Sequence, residues 1–315
     1  MLKKFATLFL ALGVIAMVMA GCGKSDDKAK DGSKAGDKAF VPKEIRIGFV
    51  PSQNAETLEA KAKPLADLLE KELDIPVKVT VTTDYNGVVE AMGSKQLELG
   101  FLPPTDYVLA HEKGYADVLL QALRNGVDPE TGKATDELVD YYYSGVLVRN
   151  DSGINSIADL KGKKIGVQAP TSSAGYVWPA VEMKKEGVDI QKDMTPVQLQ
   201  GHDKGVAGVM SKDIDAAAVF VDARNIVEKE YPTIYKDTKY LFLTEKIPND
   251  TISVRPDMDQ KWKDKIADAF VKIGEDEKGK EIIKAIYSHV GYKKSQDSNF
   301  DVVRDYTEKF KKIGQ

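Results

Sequence analysis

Two hydrophobic periods alternate along this chain, and the alternation runs through two successive units. No other feature confines the fold as tightly. Ile45-Arg46-Ile47-Gly48-Phe49-Val50 alternates and then fills with apolar residues, as a sheet strand does. Leu58, Ala62, Leu65, Leu69 and Leu73 follow at three- and four-residue spacing, the stripe of a helix that buries one side. Val77, Val79 and Val81 return to period two. A short helix carrying Val88, Val89 and Met92 leads to a strand from Leu97 to Leu102, then to a helix from Thr105 to Lys113 and an extended stretch from Val118 to Gln121. Strand-helix-strand order of this kind favours a mostly parallel sheet flanked by helices.

A long extended run from Tyr141 to Val148 opens the second unit. SIADLKGKKIGV, from Ser156, reads as a helical turn, a glycine turn and a strand. Helices are expected from Ser172 to Lys185, from His202 to Met210 and from Asp222 to Glu230, with strands near Val197 to Leu199 and Ala216 to Phe220. Tyr240 to Leu243 and Thr251 to Val254 look extended. The remainder is helical: Met258 to Ile273, Gly279 to Tyr287 and Val302 to Lys312. The expected fold is α/β with two lobes, each a central, mostly parallel sheet flanked by helices. Residues 43–145 form the first lobe, 146–249 the second, and 250–315 return to the first with C-terminal helices. Crossings fall near Tyr142–Val148 and Pro248–Val254. Ligands of such sheets sit at the carboxyl ends of the strands, here in the cleft between lobes, and closure over a ligand is a hinge motion.

The N-terminus reads as an export address. Lys3 and Lys4 precede an apolar run from Phe5 to Met19, of signal-peptide length and short of the roughly 20 residues that span a bilayer. Met19-Ala20-Gly21-Cys22 resembles a bacterial lipobox, so residues 1–21 are expected to be removed and Cys22 to carry a lipid that holds the protein at the membrane. Cys22 is the only cysteine, which excludes an internal disulfide. Residues 22–42 then form a polar tether of Lys, Asp, Gly, Ser and Ala. The formal charge of −4 argues against nucleic acid, which needs concentrated Lys and Arg, but a local site can still hold a small anion.

Several phrases together carry a resemblance. SIADLKGKKIGV is general to type II periplasmic binding proteins. DYNGVVEAM from Asp84, APTSSAGYVWP from Ala169, GHD at Gly201–Asp203 and IPND at Ile247–Asp250 are narrower. In this order and spacing, over about Ile45 to Val290, the chain resembles the phosphonate/phosphite/phosphate-binding lipoproteins of ABC importers.

Thr171, Ser172 and Ser173 lie between a strand and a helix start, where hydroxyl caps and free N–H groups form an anion site; a plain helix cap accounts for the same residues. The resemblance implies that Ser172 and Ser173 hold oxyanion oxygens with Thr171 close by, although Ala174 stands where the family has a further hydroxyl. It also implies that His202 and Tyr85 donate to the same oxyanion, and that Tyr142 lines the cleft, its neighbours Tyr141 and Tyr143 leaving the register open by one residue. Asp222 and Asp250, in isolation caps or turn residues, are placed in the pocket by the resemblance. There they would hold a ligand ammonium or share a proton with the oxyanion.

The implied partners are a small phosphorus oxyanion and an ABC permease, with the receptor a monomer and no cofactor. A sulfonate or thiamine-precursor receptor is the alternative on the same fold. A phosphoester or phosphonate hydrolase is the alternative of another class. It lacks support, because His111, His202 and His289 show neither HxxxH nor HExxH spacing and no phosphate-binding GxxxxGK[ST] loop occurs.

Overall fold

Ile45–Phe49 forms strand β1 of the first sheet, with only Arg46 short of full burial. The computed structural model describes residues 39–128 and 133–313. The signal segment, Cys22 and nearly all of the tether lie outside the described residues. The chain joins the fold at Phe40, ahead of the boundary expected at Lys43. Phe40 bridges to Met258, and the Arg255 guanidinium lies 3.8 Å from the centre of its ring.

The stripe read from the sequence is the buried side of α1 (Ala55–Leu73): Leu58, Ala62, Leu65, Leu69 and Leu73 are each at most 1 % exposed. Asn54 caps this helix by accepting the Thr57 N–H at 3.0 Å. β2 (Val77–Val81), α2 (Tyr85–Gly93), β3 (Leu99–Leu102) and α3 (Pro104–Glu112) follow. β1 lies between β2 and β3, parallel to both. β4 (Asp117–Val127) is much longer than the extended stretch expected there, because its outer half pairs antiparallel with β5 (Ala134–Val139).

The chain crosses through β6 (Tyr141–Tyr142) into β7 (Ser144–Arg149) of a second sheet. β8 (Lys164–Val167) leads to one turn of π-helix (Ser173–Val177) that runs into α4 (Trp178–Lys185). β9 (Thr195–Gln198), α5 (His202–Ser211), β10 (Ala216–Phe220), α6 (Arg224–Val227), α7 (Ile234–Asp237) and β11 (Thr238–Leu243) complete this part. Strand order is β11-β7-β10-β8-β9. The return crossing, β12 (Ile247–Pro248), pairs antiparallel with β6, so the two crossings form one short ribbon.

β13 (Thr251–Val254) inserts between β3 and β4, antiparallel to both. α8 (Gln260–Glu275) and α9 (Glu277–Tyr287) follow it. β14 (Gly291–Lys294) pairs with β4, and α10 (Asp301–Lys311) ends the described chain. The parallel runs expected from strand-helix alternation are present as β2-β1-β3 and β10-β8-β9. Both sheets are nevertheless mixed, because β7 and β13, the strands that enter each sheet from a crossing, run opposite to their neighbours. The chain near α10 spans both sheets: Phe300 packs on Tyr107 of α3 at 4.7 Å, and Tyr306 stacks on Trp178 of α4 at 4.4 Å.

Candidate anion-binding site

Four helices begin at one cavity. Tyr85 opens α2, Pro103 precedes α3, Ser172 caps the π-turn that leads into α4, and His202 opens α5; all four residues line a cavity of about 40 Å³. A helix start has N–H groups without intrahelical partners and carries the positive end of the helix dipole. Four of them around one space favour an anion there.

The local sequence fixes each start. Asp84 caps α2 by accepting the Gly87 N–H at 2.8 Å, whereas neither α3 nor α5 has a side-chain cap bond. Ser172 Oγ accepts the Gly175 N–H at 3.1 Å, and the Ser172 carbonyl accepts the Val177 N–H at 3.0 Å, the long reach of a π-turn. The Gln168 amide donates to the Gly201 carbonyl at 3.1 Å and accepts the Gly201 N–H at 2.9 Å. Gly201 holds φ at 103°, a conformation that favours glycine, so this amide sets where α5 begins.

Hydroxyl groups line the wall. Ser173 Oγ is 2.7 Å from the Thr105 hydroxyl and accepts the Thr105 N–H at 3.1 Å. The His202 N–H donates to the Ser52 carbonyl at 2.9 Å. The Tyr85 and Tyr142 phenols interact with Ser172 and Ser173, and burial raises the pKa of both, so each keeps its proton at neutral pH. The His202 ring stands edge-on to Phe220 at 4.7 Å. Burial pushes its pKa down to about 3, and its Nδ1 has no hydrogen-bond partner among the described residues.

The sequence model of the family described as the periplasmic substrate-binding protein of ABC phosphonate transporters matches residues 47–300. The chain belongs to this family. It is 28 % identical over 224 residues to the phosphate-import protein PhnD of Mycolicibacterium smegmatis, covering 69 % of this chain and 65 % of that one, just under two thirds of the relative's length. It is 22 % identical over 248 residues to the phosphonates-binding periplasmic protein of Escherichia coli, covering 78 % and 70 %. The solved structure of PhnD1 from Prochlorococcus marinus, in complex with methylphosphonate, shares the fold with a TM-score of 0.73 at 18 % identity, over 87 % of this chain and 100 % of that one.

In this phosphonate-binding family member, Tyr85, Tyr142, Ser172, Ser173, His202 and Asp250 line the cavity together. Tyr142 is the buried member of the tyrosine triplet; Tyr141 and Tyr143 lie on the opposite side and pack on each other at 5.7 Å, as strand alternation requires. Thr171 and Asp222 stand one layer behind the wall. The Thr171 hydroxyl is buried beside Asp106, with no hydrogen bond of normal geometry among the described residues. Asp222 turns to a guanidinium, its Oδ1 accepting from Arg124 Nη1 at 3.3 Å.

Sequence reading missed Arg124, Tyr287 and the role of His289. Arg124 and Tyr287 line the cavity. Arg124 lies over the Tyr142 ring at 4.6 Å, donates from Nη2 to the Tyr287 carbonyl at 3.3 Å, and has no partner at Nε among the described residues. The signal was present in the alternation Ala122, Arg124, Gly126, whose members all face inward on β4. His289 Nε2 is 3.2 Å from Asp250 Oδ2; burial lowers this ring's pKa against the pull of the carboxylate. Among the described residues no group of three or more His, Cys, Asp or Glu is arranged to hold a metal ion.

Proposed function

We propose that this protein is the extracytoplasmic receptor of an ABC importer, and that it captures phosphate, phosphite or a phosphonate in the cavity at the four helix starts. That convergence carries the reading: the cavity offers an anion dipole ends, first-turn N–H groups and hydroxyl donors, with little net positive charge. The hydroxyls of Ser172, Ser173 and Tyr85 and the first-turn N–H groups of Ser173 and Ala174 would each meet an oxyanion oxygen. A dianion beside His202 favours the protonated ring and opposes the effect of burial. The cavity of about 40 Å³ has room for roughly three water-sized spheres, a scale that suits a small tetrahedral oxyanion.

A receptor is supported over a hydrolase by the bonds of the serines. Among the described residues the hydrogen bonds of Ser172 Oγ and Ser173 Oγ run to Gly175 and Thr105, and neither hydroxyl is bonded to a histidine that could act as its base. The further parts of the reading rest on the sequence: export, a lipid on Cys22, a polar tether and a monomer that meets the permease. The two sheet-bearing halves act as lobes that close on the ligand about the β6–β12 ribbon.

Calorimetric titration of the purified protein with phosphate, phosphite, methylphosphonate and 2-aminoethylphosphonate tests the proposal. At least one is expected to bind at micromolar concentration, and Ser172→Ala to weaken it by about tenfold or more, the worth of one hydrogen bond to a charged group. If none binds even at millimolar concentration, the oxyanion reading fails.

A further inference from the structure

We infer that Arg124 is the specificity residue of this site: its guanidinium occupies the place where an aminoalkylphosphonate would bring its ammonium, so the site selects phosphorus oxyanions without an amine. The inference rests on the oxyanion reading above and names the substrate class within it.

Two carboxylates lie at or just behind the cavity wall, and each already has a resident partner. Asp222 pairs with Arg124 at 3.3 Å, with the two side chains 13 % and 6 % exposed. Asp250 faces His289 at 3.2 Å, with 15 % and 2 % exposed. Carboxylates beside an anion are repulsive unless a proton or a cation lies between them. At Asp222 the protein supplies that cation itself, the Arg124 guanidinium, while at Asp250 it supplies a buried imidazole.

Arg124 is held from three sides: Asp222 at Nη1, the Tyr287 carbonyl at Nη2, and the Tyr142 ring beneath at 4.6 Å. A ligand ammonium entering this space would meet a fixed like charge in a desolvated setting, where repulsion is strong. To reach Asp222 it would also have to break a buried ion pair. The small cavity offers no detour. The Arg124 Nε–H, buried without a partner among the described residues, is in turn a donor that a ligand oxygen would satisfy.

The test compares 2-aminoethylphosphonate with n-propylphosphonate, a near-isostere with a methyl in place of the ammonium, alongside methylphosphonate and phosphate. Titration of the wild-type protein at neutral pH is expected to give n-propylphosphonate at least about tenfold tighter binding than the amine. Arg124→Ala uncovers Asp222 and makes room, so the ratio should move about tenfold or more toward the amine, while Arg124→Lys, which keeps the charge, should hold the wild-type order. The inference is overturned if the wild-type protein binds the amine as tightly as n-propylphosphonate. It is also overturned if only methylphosphonate or phosphate binds, since size then sets selectivity, or if Arg124→Ala leaves the ratio unchanged. The wild-type ratio decides the matter even where a variant misfolds. Binding of no ligand at all removes the oxyanion reading itself, whereas binding that tolerates the amine removes only the role of Arg124.

Discussion

Asp106 sits in the first turn of α3, wholly buried, and neither carboxylate oxygen has a hydrogen-bond partner of normal geometry among the described residues. Burial raises its pKa to about 8; the Thr171 hydroxyl lowers it, and Asp250 and Asp84 raise it further. The Tyr85 phenol also faces it, so acids and hydroxyls surround the group. A carboxyl whose folded pKa lies above its unfolded value binds more protons when folded. Its contribution to stability is complete below the ordinary carboxylate range and is lost as pH rises through about 8. Scanning calorimetry at pH 5, 7 and 9 should therefore show the wild-type midpoint falling relative to Asp106→Asn as pH rises. Parallel curves would mean that Asp106 does not hold its proton in the fold. The sequence did not disclose this group, because aspartate in a first helical turn is ordinary and burial is not written in one residue. Ser172, Ser173 and His202 were legible because a helix start and a recognisable phrase coincide at each, and Tyr85 by the phrase alone. Arg124 lay in the outer half of β4, where neither signal reached.

Elements position the site through a few close approaches. Gly175 lies in the π-turn, where an added Cβ would fall 2.2 Å from Gln168 Cγ and 2.9 Å from Ser172 Oγ. The displaced Gln168 is the same amide that clamps Gly201 at the start of α5. Gly175→Ala should thus cost about 1–3 kcal/mol in stability by overpacking and also weaken oxyanion binding, because two helix starts move. The thermal midpoint and a phosphate or methylphosphonate titration check it together; lowered stability with unchanged affinity would show that the helix starts do not depend on this turn. Regular elements were readable because α1 repeats its apolar stripe over about four turns and β1 is almost wholly apolar. The π-turn was not, since its widening comes from tertiary contact with Gln168 rather than from any propensity of Ser173–Val177. The β4–β5 hairpin was missed for a related reason: β5 is largely exposed and shows no apolar alternation.

At the scale of the whole molecule, polar contacts join the two sheet-bearing halves at the cavity, among them Thr105 to Ser173, the His202 N–H to the Ser52 carbonyl, and Arg124 to Asp222. The layers were legible in the alternation of periods, and the crossings in the extended runs around Tyr142 and Thr251. The direction of β13 was not, because an apolar strand pattern reads the same in a parallel or an antiparallel partner. A ligand seated against Tyr85 on one side and Ser172, Ser173 and His202 on the other would be released only when these contacts part. Closing contacts of this kind act after encounter, so weakening one changes the dissociation rate more than the association rate. Thr105 is the cleanest probe, since its hydroxyl bonds to Ser173 and its backbone N–H survives substitution. Stopped-flow measurements on Thr105→Ala with a bound phosphorus oxyanion should show dissociation several-fold faster, at nearly unchanged association, in line with the loss of about 1 kcal/mol for one neutral hydrogen bond. A slower association with unchanged dissociation would instead place Thr105 in the entrance, and closure of the two halves would then have to rest on the remaining contacts.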